Sequence, residues 1–203
     1  LKDLYKITNI NINDIDKIGQ DLENVELNNI KVEGYYDYFE INNCLINTCD
    51  FSKSNLQGID ISDSEIKFSI FTNVDLSERS YKKVQFNDCT LVGVDFNSSF
   101  LEEVEFNNCN LNYSNFSGCN FKKVKFTNCK LDDASFNEVK WKNLEFIDSS
   151  LIGVEFIHTK LKDLDVSSCV IKDLKVPIEY LKGLVVSYDQ ALELSLLLGI
   201  KIK

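Results

Sequence analysis

Three residue types in this 203-residue sequence could do chemistry: seven cysteines, one histidine and one arginine. Thiolates and imidazole could hold zinc, and a thiolate could act as a nucleophile or join a disulfide. No two cysteines have the Cys-x-x-Cys spacing of a zinc site, and His158 has no partner nearby in the sequence. The cysteines instead share one phase of a five-residue period, which favours inward packing over metal binding or disulfides. They are Cys44, Cys49, Cys89, Cys109, Cys119, Cys129 and Cys169.

The five-residue period comes from a repeat that must position every other side chain. An apolar residue occupies each fifth position from Ile41 to Val176, 28 times in succession. Two residues before these positions, from Cys44 to Leu174, 22 of 27 places hold Cys, Ser, Thr, Ala or Val. A period of five matches neither an α-helix nor a flat strand, so the chain must turn a corner at every repeat. Alternating large and small inward residues predict a narrow, filled solenoid of square section.

Two of the five-residue units resemble the pentapeptide repeat, A(D/N)LXX; they are Cys109-Asn110-Leu111-Asn112-Tyr113 and Cys119-Asn120-Phe121-Lys122-Lys123. The resemblance covers about two thirds of the chain. It implies an all-β fold, a right-handed quadrilateral β-helix in which four units make one coil. The sequence supports a 20-residue coil, because large side chains recur at that spacing and would stack in ladders. One such ladder would contain Phe86, Phe106, Phe126 and Phe146.

The sequence predicts three segments along the chain. Residues 1–38 would form an N-terminal cap and a first partial coil, residues 39–176 the pentapeptide-repeat β-helix, and residues 177–203 a C-terminal cap with a short α-helix. Residues 1–19 show no five-residue phase and suggest an amphipathic cap. The spacing of Leu22, Leu27 and Val32 is one residue out of phase with the main run. A bulge or short loop is therefore expected between Glu33 and Tyr38.

The only arginine, Arg79, occupies an inward position that should be small and buried. Because an unpaired buried guanidinium is costly, the backbone is expected to leave the regular coil between Ser77 and Lys83. One interpretation is a paired arginine at a loosened corner. The other is an exposed loop that contacts a partner protein. The candidate contacts are Glu78, Arg79, Tyr81 and Lys82.

The C-terminal segment predicts a capped helix and a dimer interface. Ser187 and Gln190 form a capping-box pattern, which places a helix from about Tyr188 to Leu198, ended by Gly199. A short strand is expected at residues 200–202. Capping the core needs one apolar stripe, but this helix is apolar over more than one, so we expect a homodimer through the C-terminal end. The candidate interface residues are Leu192, Leu194, Leu196, Leu197 and Leu198.

The formal net charge of −10 limits the partners. An acidic rod would repel DNA or compete with it for a basic protein surface, so no direct nucleic-acid binding is expected. One face is less acidic because it carries lysines separated by multiples of 20, namely Lys82, Lys122, Lys142 and Lys162. The sequence has no run of 18 apolar residues and no basic-then-apolar N-terminal signal. It therefore predicts a cytoplasmic protein without a membrane span.

Nothing in the sequence predicts an enzyme or a cofactor. There is no glycine-rich phosphate loop, and carboxylate pairs such as Asp132 and Asp133 are typical surface acids. A solenoid whose lumen is filled by its own side chains also offers no pocket for a substrate or cofactor.

The C-terminal segment adds a narrower resemblance. Together with the repeat and the acidic surface, the segment from Leu181 to Ile200 resembles the quinolone-resistance (Qnr) branch of the family and its chromosomal relatives. Members of that branch are homodimers that bind DNA gyrase or topoisomerase IV, partly as DNA mimics, and protect it from fluoroquinolones. The resemblance therefore implies a topoisomerase-binding DNA mimic. The alternative is a structural or interaction scaffold for another protein partner.

Overall fold

The computed structural model describes residues 5–8, 21–36, 38 and 40–199. These residues form the expected quadrilateral β-helix, in which parallel strands stack coil on coil. Most of the N-terminal cap, the start of the main run at Phe39 and the strand expected at residues 200–202 lie outside the described part. The strands are β1 Tyr5–Thr8, β2 Leu22–Glu23, β3 Val25–Asn28, β4 Lys31–Tyr35, β5 Glu40–Asn42, β6 Leu45–Asn47, β7 Asp50–Asn55, β8 Asp60–Ser62, β9 Glu65–Lys67, β10 Ser80–Lys82, β11 Gln85–Asn87, β12 Phe100–Asn107, β13 Asn120–Thr127, β14 Lys140–Ile147, β15 Ser150–Ile152 and β16 Val170–Lys172.

Strand pairing follows a register of 20 residues along most of the chain. Phe86 lies opposite Phe106, and Phe106 lies opposite Phe126, in the stacked strands β11, β12 and β13. The first coils differ, because Leu27 pairs with Ile46 at a register of 19 residues. The one-residue phase difference read from the sequence is therefore a real difference in coil length.

The phase difference is absorbed in β4, which pairs with β7. The register changes between Lys31 and Glu33, earlier than the expected interval from Glu33 to Tyr38. Pairing resumes directly after the change and continues to Tyr35, which lies opposite Asn55, so the irregularity is a bulge inside the strand. Residues 5–8 also pair with β3 at a register of 20, although the sequence shows no five-residue phase there.

Inward side chains fill the lumen. Of the 28 central positions, 26 are buried, and Trp141 and Val176 are half-buried. The phenylalanines stack as predicted: the ring centroids of Phe106 and Phe126 lie 4.8 Å apart, with their planes 3° from parallel. Neighbouring ladders meet edge to face, as Phe106 and Phe116 do at 6.0 Å. Both arrangements suit the charge distribution of aromatic rings, so the core gains attraction beyond simple burial.

Asparagine and aspartate recur at the corners because the backbone turns there through a left-handed conformation. Asn73, Asp88 and Asn108 have φ values of 56°, 55° and 55°. Short polar side chains tolerate this region better than other non-glycine residues do. Gly93 occupies a tighter corner, where a Cβ atom would lie 2.3 Å from the Oδ1 of Asn73. Corner geometry thus accounts for much of the polar composition between the apolar positions.

Coil stacking is interrupted at one seam, between β14 and residues 160–167. Strand β14 pairs with β13 on one side, and no backbone hydrogen bond joins it to residues 160–167, all of which the structure describes. Residues 160–167 bond to the following coil, as when the N–H of Asp163 donates to the carbonyl of Gly183 at 2.9 Å. Another face of the solenoid stays paired at this level, because the N–H of Gly153 donates to the carbonyl of Lys172 at 2.8 Å.

The C-terminal cap begins after Pro177 with a 3-10 turn, Ile178–Leu181. Helix α1, Tyr188–Ser195, follows and continues as a 3-10 turn, Leu196–Leu198, to Gly199, whose φ is 70°. The predicted capping box is present. The N–H of Gln190 donates to Ser187 Oγ at 3.3 Å, and the N–H of Ser187 donates to Gln190 Oε1 at 2.8 Å.

Replacing Phe106 by alanine should lower the free energy of unfolding by about 3–5 kcal/mol, because it empties a fully buried place in a stacked ladder. Urea denaturation followed by far-UV circular dichroism measures the change. Phe68→Ala is the matched control, since the Phe68 side chain is 58% exposed and its loss should cost under about 1 kcal/mol. Equal losses in the two variants would contradict the filled lumen.

Candidate functional site

The seven cysteines are free and buried, as their shared phase predicted. Their thiols bond to backbone carbonyls, as Cys109 Sγ does to the oxygen of Phe86 at 3.3 Å. Burial raises the pKa of the Cys119 thiol to about 12. Hydrogen bonds with Cys129 and Cys89, together with burial, raise the pKa of the Cys109 thiol. Because nucleophilic attack and metal binding both need a thiolate, this arrangement favours a packing role.

His158 lies on the outside, where its Nδ1 is 3.2 Å from the hydroxyl oxygen of Tyr180. Within the described ranges, no three His, Cys, Asp or Glu side chains come together in a way that could hold a metal ion. The lumen contains a cavity of about 20 Å³ near the first coils, lined by apolar residues that include Leu27, Ile46 and Phe51. That volume holds roughly one water molecule, so it cannot accept a substrate.

No helix in the described part of the chain is long and apolar enough to cross a membrane.

The backbone around Arg79 follows the regular coil, so the expected departure between Ser77 and Lys83 is wrong. Strand β10 pairs with both β8 and β12 at a register of 20 residues. The carbonyl of Arg79 accepts a hydrogen bond from the N–H of Phe100 at 2.8 Å, and the Arg79 N–H donates to Ser99 Oγ at 3.1 Å. The coil absorbs the large residue through its side chain, which is only half-buried.

The Arg79 guanidinium lies over the exposed ring of Tyr38, with its carbon 5.4 Å from the ring centroid. Such a contact stabilises the cation without an ion pair. Burial raises the pKa of the nearby Asp75, but hydrogen bonds from Gln57 and Ser77 and the charge of Arg79 bring it below its ordinary value. The Nε of Arg79 is buried and has no hydrogen-bond partner among the described groups.

The four predicted contact residues at this corner do not form one surface. Glu78 and Lys82 are exposed and Arg79 is half-buried, but Tyr81 is fully buried. The Tyr81 hydroxyl donates to the carbonyl of Leu76 at 2.7 Å inside the lumen. Tyr81 therefore cannot contact a partner, and its place in the central apolar series was the better guide. Tyr38, which the sequence reasoning did not include, joins the exposed group instead.

The C-terminal helix presents part of the predicted leucine surface. The exposed fractions are 41% for Leu192, 58% for Leu196 and 39% for Leu197, whereas Leu194 packs against the core. The side chain of Leu198 lies outside the described part of the structure. Leu194 was therefore a core contact rather than a free interface residue.

Gln190 fixes the position of this helix. Its side chain is buried, and Nε2 donates to the carbonyls of Val166 at 2.8 Å and Cys169 at 2.6 Å. The same side chain completes the capping box, so one residue both starts the helix and joins it to the last coil. The sequence signal for the cap was clear, but the anchoring bonds depend on tertiary packing.

The negative charge is concentrated toward the N-terminus. Residues 1–80 carry 15 acidic and 7 basic side chains, whereas residues 81–203 carry 17 acidic and 15 basic ones. The net charges are therefore −8 and −2. Several charges in the second part pair between adjacent coils, such as Lys123 with Glu103 at 2.7 Å and Lys175 with Glu155 at 3.1 Å. The acidic surface belongs mainly to the first half of the rod.

A groove of about 970 Å³ lies at the seam, and sequence reasoning missed it. Its lining includes Trp141 and His158, together with lysines from both edges. Trp141 counted as a regular apolar position in the sequence, but its size was a signal, since it is the only tryptophan in the series.

These features define a β-solenoid whose core is closed and whose outside and ends are the parts open to partners. A family model for the pentapeptide repeat region matches residues 64–127 and 119–177, more than half of the chain. The chain therefore belongs to the pentapeptide-repeat family. A comparison with curated proteins gave no match.

Several solved structures are similar to this chain. Full-length QnrB1, a plasmid-mediated fluoroquinolone resistance protein, is 18% identical over 86% of this chain and 100% of its own, with a TM-score of 0.41. HetL, a pentapeptide repeat protein involved in heterocyst differentiation regulation in the cyanobacterium Nostoc sp. strain PCC 7120, is 12% identical over 87% and 99%, with a TM-score of 0.37. A pentapeptide repeat protein from the thylakoid lumen of Arabidopsis thaliana is 21% identical over 47% and 66%, with a TM-score of 0.45.

The folded protein should react with almost no Ellman's reagent at pH 8, whereas the protein unfolded in guanidinium should titrate seven thiols. Burial and the raised pKa of thiols such as Cys119 keep the nucleophilic thiolate scarce in the folded state. A Ser52→Cys variant supplies an exposed thiol as the control and should react rapidly. Rapid reaction of a native cysteine in the folded protein would overturn the packing role.

Proposed function

We propose that this protein is a non-enzymatic, cytoplasmic rod that binds a type II topoisomerase, DNA gyrase or topoisomerase IV, by occupying a surface that ordinarily binds DNA. The observation that carries the proposal is the filled lumen, which leaves the charged outside and the ends as the means of action. A rod with a net charge of −8 over residues 1–80 complements a basic DNA-binding surface. The resemblance of the C-terminal segment to the Qnr branch supports the choice of partner.

Protection from fluoroquinolones follows if the rod and the drug–DNA complex compete for the same enzyme. A rod that displaces DNA lowers the amount of enzyme trapped by drug, and at higher concentration it inhibits supercoiling itself. The acidic N-terminal half is the part expected to imitate the duplex, because residues 81–203 carry a net charge of only −2.

Neutralising exposed acids in the first half should weaken this competition. The variant Glu40→Gln, Asp63→Asn, Glu78→Gln should bind gyrase about tenfold more weakly, because three surface charges at about 0.5 kcal/mol each total about 1.4 kcal/mol. Binding is measured by surface plasmon resonance, and function by supercoiling with and without ciprofloxacin.

The matched control for this experiment removes three acids from the second half, Glu145→Gln, Asp148→Asn and Asp173→Asn, and changes the net charge equally. It should leave gyrase binding within about twofold of the unaltered protein. Wild-type protein that neither binds, inhibits nor protects gyrase or topoisomerase IV at micromolar concentration would rule out the proposed partner.

A second candidate is an interaction scaffold for another protein. The charge pairing between coils favours it, because pairs such as Lys122 with Glu102 make the second half of the rod unlike a DNA duplex. A pull-down that lacks topoisomerase subunits and is enriched reproducibly in one other protein would support this candidate.

We further propose that two rods join through their C-terminal ends. The exposed Leu192, Leu196 and Leu197 form an apolar surface on a helix that Gln190 already holds on the last coil. A second copy of the same surface would remove these side chains from water, which is the main driving force for association.

The double variant Leu196→Asp, Leu197→Asp should therefore halve the mass measured by sedimentation velocity at micromolar concentration. Charged side chains in the joined apolar surface would be costly to desolvate. The control Phe68→Asp, Tyr113→Asp changes two exposed apolar side chains away from the end and should leave the dimer intact. A monomeric unaltered protein, or a double variant of unchanged mass, would contradict the dimer.

A further inference from the structure

The seam between β14 and residues 160–167 leaves backbone groups without partners. On another face at this level, the N–H of Leu131 donates to the carbonyl of Ser150 at 2.9 Å. The corresponding donors on β14 are the N–H groups of Trp141 and Asn143, which bond to no other described residue. Strand β14 thus has one edge paired with β13 and one edge open, although it lies inside a stack of coils.

The indole of Trp141 explains why the coils part here. The coils before and after carry Phe121 and Leu161 at the same inward position, and both are buried, whereas Trp141 is half-buried. Its Nε1 donates to the carbonyl oxygen of Lys160 at 2.7 Å. By register, that oxygen is the acceptor that the backbone N–H of Trp141 would use in a regular coil. A side-chain bond across the gap therefore replaces the backbone ladder.

Lysines add a second cause. Like charges directly opposite each other destabilise neighbouring strands. A register of 20 residues would oppose two pairs at the seam: Lys140 with Lys160, and Lys142 with Lys162. Between β12 and β13, by contrast, Glu103 faces Lys123 and pairs with it at 2.7 Å. An acidic group is therefore what the seam lacks.

The groove at this seam has a volume of about 970 Å³ and two edges. The first is the stretch from Glu138 to Asn143, and the second runs from His158 to Asp163, with Tyr180 beside it. Its lysines outnumber its acids by four to two, so the groove is basic on a protein whose net charge is −10.

We propose that this groove binds an extended, acidic polypeptide segment of a partner protein, which adds as a strand to the open edge of β14. The unpaired N–H groups of Trp141 and Asn143 supply the main-chain recognition that strand addition uses. The four lysines supply the charge preference, because carboxylates placed between them relieve two opposed pairs at once. This site is separate from the acidic half of the rod and does not depend on the topoisomerase proposal.

A polypeptide fits the groove better than a nucleic acid. An open strand edge presents a row of backbone donors and acceptors, which another strand satisfies and a phosphate backbone does not. The overall charge of −10 also opposes long polyanions, whereas a short acidic strand places its charges only against the local lysines.

The full-length protein should be titrated with an acetylated and amidated nine-residue peptide of alternating glutamate and threonine. Trp141 is the only tryptophan, so its fluorescence reports on the groove directly. We expect a saturable change in emission at micromolar to submillimolar peptide, weakened at least threefold when salt rises from 50 to 300 mM. A lysine–threonine peptide should produce no saturable change.

Two altered probes separate strand addition from simple charge attraction. The same acidic peptide with alternate backbone nitrogens methylated keeps its charge but loses donors on one edge, and it should bind at least tenfold more weakly. A dodecamer of deoxythymidine should not compete with the peptide. Equal binding of the methylated peptide, competition by the oligonucleotide, or no binding at 1 mM peptide would each overturn the proposal.

Variants test the same site by anisotropy of a labelled peptide. Lys142→Glu, Lys162→Glu should weaken binding at least tenfold, and the control Lys130→Glu, Lys172→Glu, which alters exposed lysines outside the groove, should not. Trp141→Phe should close the seam, since phenylalanine fits this position in the preceding coil, raising the melting temperature and abolishing binding. Unchanged binding in the Lys142→Glu, Lys162→Glu variant would overturn the proposal whether or not the Trp141 variant folds.

Discussion

The constraint on which the whole structure depends is the 20-residue register, because it sets each inward side chain directly upon its equivalent in the next coil. Phe106 and Phe126 stack at 4.8 Å, close to the spacing of paired strands, so ring stacking and backbone hydrogen bonding satisfy the same repeat distance. Neither could be shifted without losing the other. The corners, with left-handed residues such as Asn73 and Asn108, exist to keep that register.

The register also organises the surface, since it opposes charges as strictly as it opposes rings. Where opposite charges meet, as at Glu103 and Lys123, coils are joined by ion pairs. Where lysines meet, as at Lys142 and Lys162, the coils have no backbone bonds between them. The acidity of residues 1–80, the paired middle and the basic seam are thus three outcomes of one stacking rule applied to different sequences.

The fold could be predicted because five-residue periodicity is a local signal that the sequence carries without interruption. The inward cysteines and the capping box at Ser187 and Gln190 followed from the same kind of pattern. The details that failed depend on side-chain size and route. Arg79 leaves the backbone regular because its long side chain reaches Tyr38, and Trp141 opens the seam because phase alone does not measure volume. Partner contacts have no comparable periodic signal.

The open seam also bears on how cooperatively the solenoid unfolds. In a stack of repeats, stability is passed between neighbours through their shared interface, and a weak interface divides the stack into separate cooperative units. The coils beyond Thr159, with the helix that Gln190 attaches to them, share fewer hydrogen bonds with the preceding coils than those coils share among themselves. The C-terminal quarter of the chain is therefore built as a unit that can loosen and re-form on its own while the longer stack stays intact.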